Sequence, residues 1–131
     1  MKGFSIIELI VVVAIIGILA AIGIMSYSGY TSTTKKSNAK NNLRSIYMVQ
    51  EEYKANEGKY YFTESGSSCG SDKNSSINTD LFDETEVLPN KQKEYKYCIA
   101  SDNSGVSYKA YAIEISDPSI TFTINEKNSL E

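Results

Sequence analysis

Histidine and tryptophan are both missing from the 131 residues. Without an imidazole, Ser-His-Asp and Cys-His nucleophilic catalysis and most catalytic zinc sites are excluded. Only two prolines punctuate the chain. An excess of positive charge is lacking too: the formal net charge is −3 and the sequence pI is about 5.0. Electrostatics therefore gives the monomer no reason to bind nucleic acid directly. At 14.5 kDa the chain fits one domain of ordinary size and excludes a multidomain enzyme. Hydrophobic residues at 41% and charged ones at 22% argue against wholesale disorder.

Charge is also missing locally. After Glu8 no charged residue occurs until Lys35. Within that gap, residues 9–25 consist only of Leu, Ile, Val, Ala, Met and Gly. Seventeen residues at ~1.5 Å each give roughly 25 Å of helix, against about 30 Å of bilayer hydrocarbon. Starting at Phe4 closes the difference, so residues 4–25 can span a bilayer with Glu8 near one end. A core helix would need apolar cover on all sides, which a chain this short does not easily supply. A conventional cleaved signal peptide needs a basic leader, a short apolar run and a small-residue cleavage site after it. Here Lys2 is the only basic residue before the run, and the run continues past Ala20 and Ala21 through Met25.

The opening residues carry a specific pattern: Gly3, then Phe4, then Glu8 four positions further on inside the apolar run. This resembles the processing and assembly segment of the type IV pilin superfamily. The likeness is strong over residues 3–30 and continues more weakly to Tyr60. It implies a prepilin leader at residues 1–3, cut after Gly3 by a prepilin peptidase that then methylates Phe4. The cut precedes the apolar run, so the anchor stays on the mature chain. The resemblance further implies a subunit held in the inner membrane, head outside the cytoplasm, and later extracted by an assembly platform driven by cytoplasmic ATPases. The product is a helical homo-oligomeric filament, joined by other pilins, that supports adhesion, twitching motility or DNA uptake. A type II secretion pseudopilin and a competence pseudopilin share these features, and a monomeric membrane-anchored protein is the remote alternative. No enzymatic activity, cofactor or metal is expected.

Glu8 is the residue on which assembly turns in this reading. A carboxylate within an apolar helix costs about 2.5–3.5 kcal/mol on insertion scales. The natural compensation in a filament is the amino group of a neighbouring subunit's Phe4, and the family resemblance assigns that role to Glu8. Otherwise Glu8 is an interfacial charge that ends the span. Gly17, Ala20 and Ala21 are small residues that let membrane helices approach closely. The family usually has Pro at the position of Met25, where it accompanies a kink; Met25 removes that source.

Beyond the span, Tyr27 and Tyr30 suit a membrane interface. Residues 26–58 then read as an amphipathic continuation of the same helix. Ala39, Leu43, Ile46, Gln50 and Tyr53 make a stripe for one buried face, and Gly58 stops the helix. Residues 59–131 form the head. The fold class expected is α+β, with the second half of the helix packed on a small antiparallel sheet. Residues 59–93 are rich in Ser, Gly, Asn and Asp and read as a long connection. Strands are expected at 95–101, 106–115 and 120–125, with turns at 102–105 and 117–119. Asp80, Asp83, Glu84 and Glu86 read as a solvated acidic loop, since their spacing does not match an EF-hand. With the head outside the cytoplasm, Cys69 and Cys98 are expected to form a disulfide that ties the long connection to the first strand.

Overall fold

The computed structural model describes residues 3–91 and 93–131. Met1 and Lys2, most of the expected leader, lie outside the described residues. The chain divides into two compact units, Met1–Lys36 and Ser37–Glu131.

The first unit is helical from Ile6, within the helix α1 that runs Ile6–Glu57. Its apolar run is exposed throughout: none of its most apolar eighteen-residue window is buried, and by length and composition the helix can cross a membrane. Residues 26–34 have weak helix propensity, being Ser, Thr, Tyr and Gly. They stay helical while the Thr31, Thr33 and Thr34 hydroxyls donate to the carbonyls of Tyr27, Gly29 and Tyr30 at 2.8, 3.1 and 2.9 Å. This back-bonding satisfies hydroxyls that would otherwise compete with the backbone. At Met25 the helix is uninterrupted.

In the second unit α1 supplies Ala39, Leu43, Ile46 and Gln50, all buried at four- and three-residue spacing. The helix ends as glycine permits: Gly58 has φ +77° and its N–H donates to the Lys54 carbonyl at 2.8 Å. Four strands form one sheet in the order β1 (Glu64–Ser65), β2 (Tyr95–Ser101), β3 (Lys109–Glu114), β4 (Thr121–Asn125). Tyr95, Tyr97 and Ile99 of β2, Ala110 and Ala112 of β3 and Ile124 of β4 join Ala39, Leu43 and Ile46 in one buried cluster. The period of two in each strand puts these residues on one face.

Two expectations require correction. The sheet is mixed, because β1 pairs parallel with β2, Glu64 opposite Ala100 and Ser65 opposite Ser101. Only β2–β3 and β3–β4 are antiparallel. The physical reason lies in the connection: parallel neighbours need a crossover of a dozen or more residues, and 66–94 is one. Nor is 59–93 only a connection, since it contains β1 and a short helix α2, Asn74–Asp80.

Three buried amides hold this segment in place by imitating backbone pairing. Gln50 donates to the Tyr61 carbonyl at 2.7 Å and accepts from its N–H at 2.8 Å. Asn78 does the same for Leu88, at 2.7 and 2.9 Å. Asn74 donates to the carbonyls of Pro89 and Tyr95 and accepts from the Tyr97 N–H at 2.8 Å. Each amide is buried yet satisfied, which removes the desolvation cost of about 1–3 kcal/mol for an unpaired group. Gly105 is needed for close approach: its φ is +91°, and a Cβ there would lie 2.7 Å from the Tyr60 carbonyl oxygen.

Candidate functional site

The first candidate site is the start of α1. Gly3, Phe4 and Ser5 precede the helix, and Glu8 lies in its first turn. Gly3 is exposed, a Cβ added to it would meet nothing within 4 Å, and Phe4 is 88% exposed. The peptide bond between them is therefore outside the helical hydrogen-bond ladder and sterically open.

Ser5 and Glu8 hold the end of the helix reciprocally. The Ser5 N–H donates to Glu8 Oε2 at 2.7 Å, and the Glu8 N–H donates to Ser5 Oγ at 3.3 Å. This is a capping box, which satisfies donors that a helix start otherwise leaves unpaired. The carboxylate also sits where the helix dipole favours negative charge. An ionised carboxyl group offers about four acceptor positions, so this bond leaves Glu8 capacity for a cation. Sequence reading passes over Ser5, although the S-x-x-E spacing of Ser5 and Glu8 was the available signal.

The second candidate site is in the head. Cys69 and Cys98 are joined by a disulfide across 29 positions, with their Cα atoms 6.0 Å apart. Cys98 is buried in β2, so the bridge fastens the 66–71 loop to the second strand of the sheet. The Tyr111 hydroxyl donates to the Ser67 carbonyl at 2.6 Å and adds a second tie. Glu64 supplies a third: it accepts from the Gly70 N–H at 3.1 Å and the Ser71 hydroxyl at 2.9 Å. The Gly70 N–H, then the Ser71 hydroxyl, hold the Glu64 carboxyl below the usual carboxylate range.

Two places group residues of metal-ligating type. Glu64, Cys69 and Cys98 bring ligand atoms within 4.8 Å of one another. Both sulfurs are spent in the disulfide, so no thiolate is present to bind a cation, and the donor set does not fit a metal. Among the described residues, the acidic run brings no three carboxylates together. Two of its members are occupied structurally. Asp80 accepts from the Tyr61 hydroxyl at 2.7 Å, and Glu86 accepts from the Asn90 N–H at 3.1 Å. Burial, with Asp80 beside it, raises the Tyr61 hydroxyl well above its ordinary range.

Comparison with known proteins gives one family match. Residues 1–24 match the family described as "Prokaryotic N-terminal methylation motif". That span contains Gly3, Phe4, Ser5 and Glu8. No curated protein matches the chain. Among solved structures the chain is similar to a type IV pilin from Shewanella oneidensis, with 15% sequence identity and a TM-score of 0.45. The likeness covers 74% of this chain and 86% of that one.

Proposed function

We propose that the chain is a structural subunit of a type IV pilus, cleaved after Gly3, methylated at Phe4 and polymerised through residues 4–25. One observation carries this reading. A prokaryotic N-terminal methylation motif stands at the head of a helical segment whose apolar side chains the chain itself leaves uncovered. Lipid covers that segment first, with the chain anchored in the inner membrane and its head outside the cytoplasm. Other copies cover it afterwards, in the core of an extracellular filament. A prepilin peptidase, an assembly platform and its ATPases are the partners this route requires. The role is structural, not enzymatic.

Moving apolar surface from lipid to neighbouring helices gains little hydrophobic free energy, so packing and polar pairing must direct assembly. Glu8 supplies the polar pairing. In the monomer its carboxylate caps its own helix through Ser5. In the filament it takes the methylated amino group of a neighbouring Phe4, which gives the otherwise costly buried charge a partner. Glu8→Ala chain is expected to insert and to be processed, but not to form wild-type filaments. Normal filament recovery from cells carrying Glu8→Ala would remove this role.

A second reading is a minor pilin or a type II secretion or competence pseudopilin, and Met25 favours it by standing where the major subunits usually carry Pro. Mass spectrometry of sheared surface filaments separates the two. Filaments built mainly of this chain and starting at methylated Phe4 indicate the pilus. Their absence, with secretion or DNA uptake lost on deletion, indicates the pseudopilus.

A further inference from the structure

Among the described residues, no element covers the face of α1 turned away from the sheet in the second unit. Ser37, Asn41, Arg44, Met48, Glu52 and Ala55 are all exposed there, and Met48, at its centre, is 70% exposed. The face also carries opposite charges at fixed positions. Arg44 is the single arginine among the 13 basic residues. Its guanidinium donates to Asn41 Oδ1 at 3.2 Å, a neutral acceptor one turn away. Glu52 lies eight positions on. Eight residues advance ~12 Å along a helix and leave the two side chains ~80° apart around it. Arg44 and Glu52 therefore occupy opposite flanks of one face.

Glu52 also borders a groove of ≈ 350 Å³, formed with Val49 and Tyr53 of α1 and with Leu81, Phe82 and Asp83 beyond α2. Its lining mixes aromatic and aliphatic side chains with Asn56 and the two acidic residues Glu52 and Asp83. A guanidinium suits such a place, since its plane stacks on aromatic rings while its donors reach carboxylates.

We propose that this face binds a second copy of the chain, with Arg44 of one copy entering the groove between Glu52 and Asp83 of the next. The proposal rests on the polymer reading and adds its head-level register. A parallel copy displaced by ~12 Å brings its Arg44 level with Glu52 of its neighbour. Donor and acceptor lie on different flanks, so each copy still offers an unused Arg44 or an unused groove to a further copy. Such a heterologous contact propagates into an open filament instead of closing as a dimer.

The test uses the full-length chain in cells that assemble it. With Arg44→Cys and Glu52→Cys in one chain, a bifunctional maleimide long enough to replace the arginine and glutamate side chains is expected to give a ladder of covalent dimers, trimers and higher species, since a direct disulfide would need the two backbones closer than an Arg–Glu pair holds them. Neither single cysteine variant gives a ladder. Arg44→Glu alone and Glu52→Arg alone are expected to lower filament recovery at least tenfold, and the two together to restore it to within about threefold. The head disulfide and the membrane pool of each variant, checked by non-reducing gels, establish that folding and insertion are intact. If filaments form but the ladder or the mutual rescue is absent, the proposal is overturned and polymerisation is not. Single-cysteine dimers in place of a ladder also overturn it, because they report a two-fold contact. If the wild-type chain forms no filament or pseudopilus, the polymer reading fails and takes this contact with it.

Discussion

Along α1, Ile16 is 59% exposed and Ile22 61%, whereas Leu43 and Ile46, several turns on, are fully buried. The same kinds of side chain meet opposite environments in one helix. In the unit to Lys36, helical hydrogen bonds satisfy the backbone but none of the described residues covers the apolar side chains. In the unit from Ser37, the sheet and the 66–94 crossover, through Ile77, Leu81 and Leu88, cover them. The contrast teaches that intrachain packing stabilises only the second unit. The first can gain stability only from whatever covers it, at about 1.5–3 kcal/mol for each large apolar side chain fully removed from water.

The largest test of this contrast is to cut it. A chain beginning at Ser37 is expected to be soluble without detergent and to unfold cooperatively on heating, followed by circular dichroism. The full chain is expected to require lipid or detergent. A Ser37–Glu131 fragment that is unfolded at 25 °C would show that the apolar helix contributes to the head's stability. Substitution sharpens the same contrast residue by residue. Leu43→Ala empties a fully buried position and should cost the head about 3–5 kcal/mol in denaturant unfolding. Ile16→Ala removes a similar apolar group from an exposed position and should leave head unfolding unchanged within about 0.5 kcal/mol.

Much of the second unit is legible in the sequence because its signals are local. The apolar stripe on α1 follows helical spacing, and Gly58 marks its end. Tyr95–Ser101 reads as a strand because it is aromatic and apolar, and Thr121–Asn125 because it alternates. What escapes sequence reading is held by distant partners. Strand β1 is two residues long and is defined by its pairing with Ala100 and Ser101. Helix α2 is polar, and Asn74 and Asn78 look like loop residues until their buried carbonyl and amide partners come into view. Gly3, Phe4 and Glu8 are legible as a motif, whereas the hydrogen bonds that make Ser5 part of the site need the backbone to be placed. The Cys69–Cys98 bridge lies between the two cases. The cysteines are plain, but the loop they close is not. Replacing both by serine should cost about 3–4 kcal/mol if stabilisation follows loop-closure entropy over 29 positions. Unfolding of the oxidised and variant heads measures it, and a loss under about 1 kcal/mol would mean that the amides, with the Tyr111 and Glu64 ties, hold the crossover without the bridge.

The smallest expected effect concerns the edge of the packed unit, where the 66–71 loop meets solvent. Glu64 holds this loop through the Gly70 N–H and the Ser71 hydroxyl, and those bonds favour its ionised form. The folded chain therefore binds this proton less readily than the unfolded chain, whose glutamate titrates near 4.5. The resulting stabilisation is fully present above that value and is lost as pH falls through the lower folded value. Glu64 is only half-buried, so solvent screening keeps the contribution below about 1 kcal/mol. Amide exchange, corrected for intrinsic pH dependence, should show Gly70 and Ser71, whose N–H groups donate to Glu64 at 3.1 and 3.4 Å, losing protection as pH drops below about 4.5, while Ala112 in the inner strand β3 keeps its own. Glu64→Gln should abolish that selective change, because its side chain carries no proton to titrate. If Ala112 loosens together with the loop, acid is acting on the whole head and the division between a firm sheet and a separately held edge is wrong.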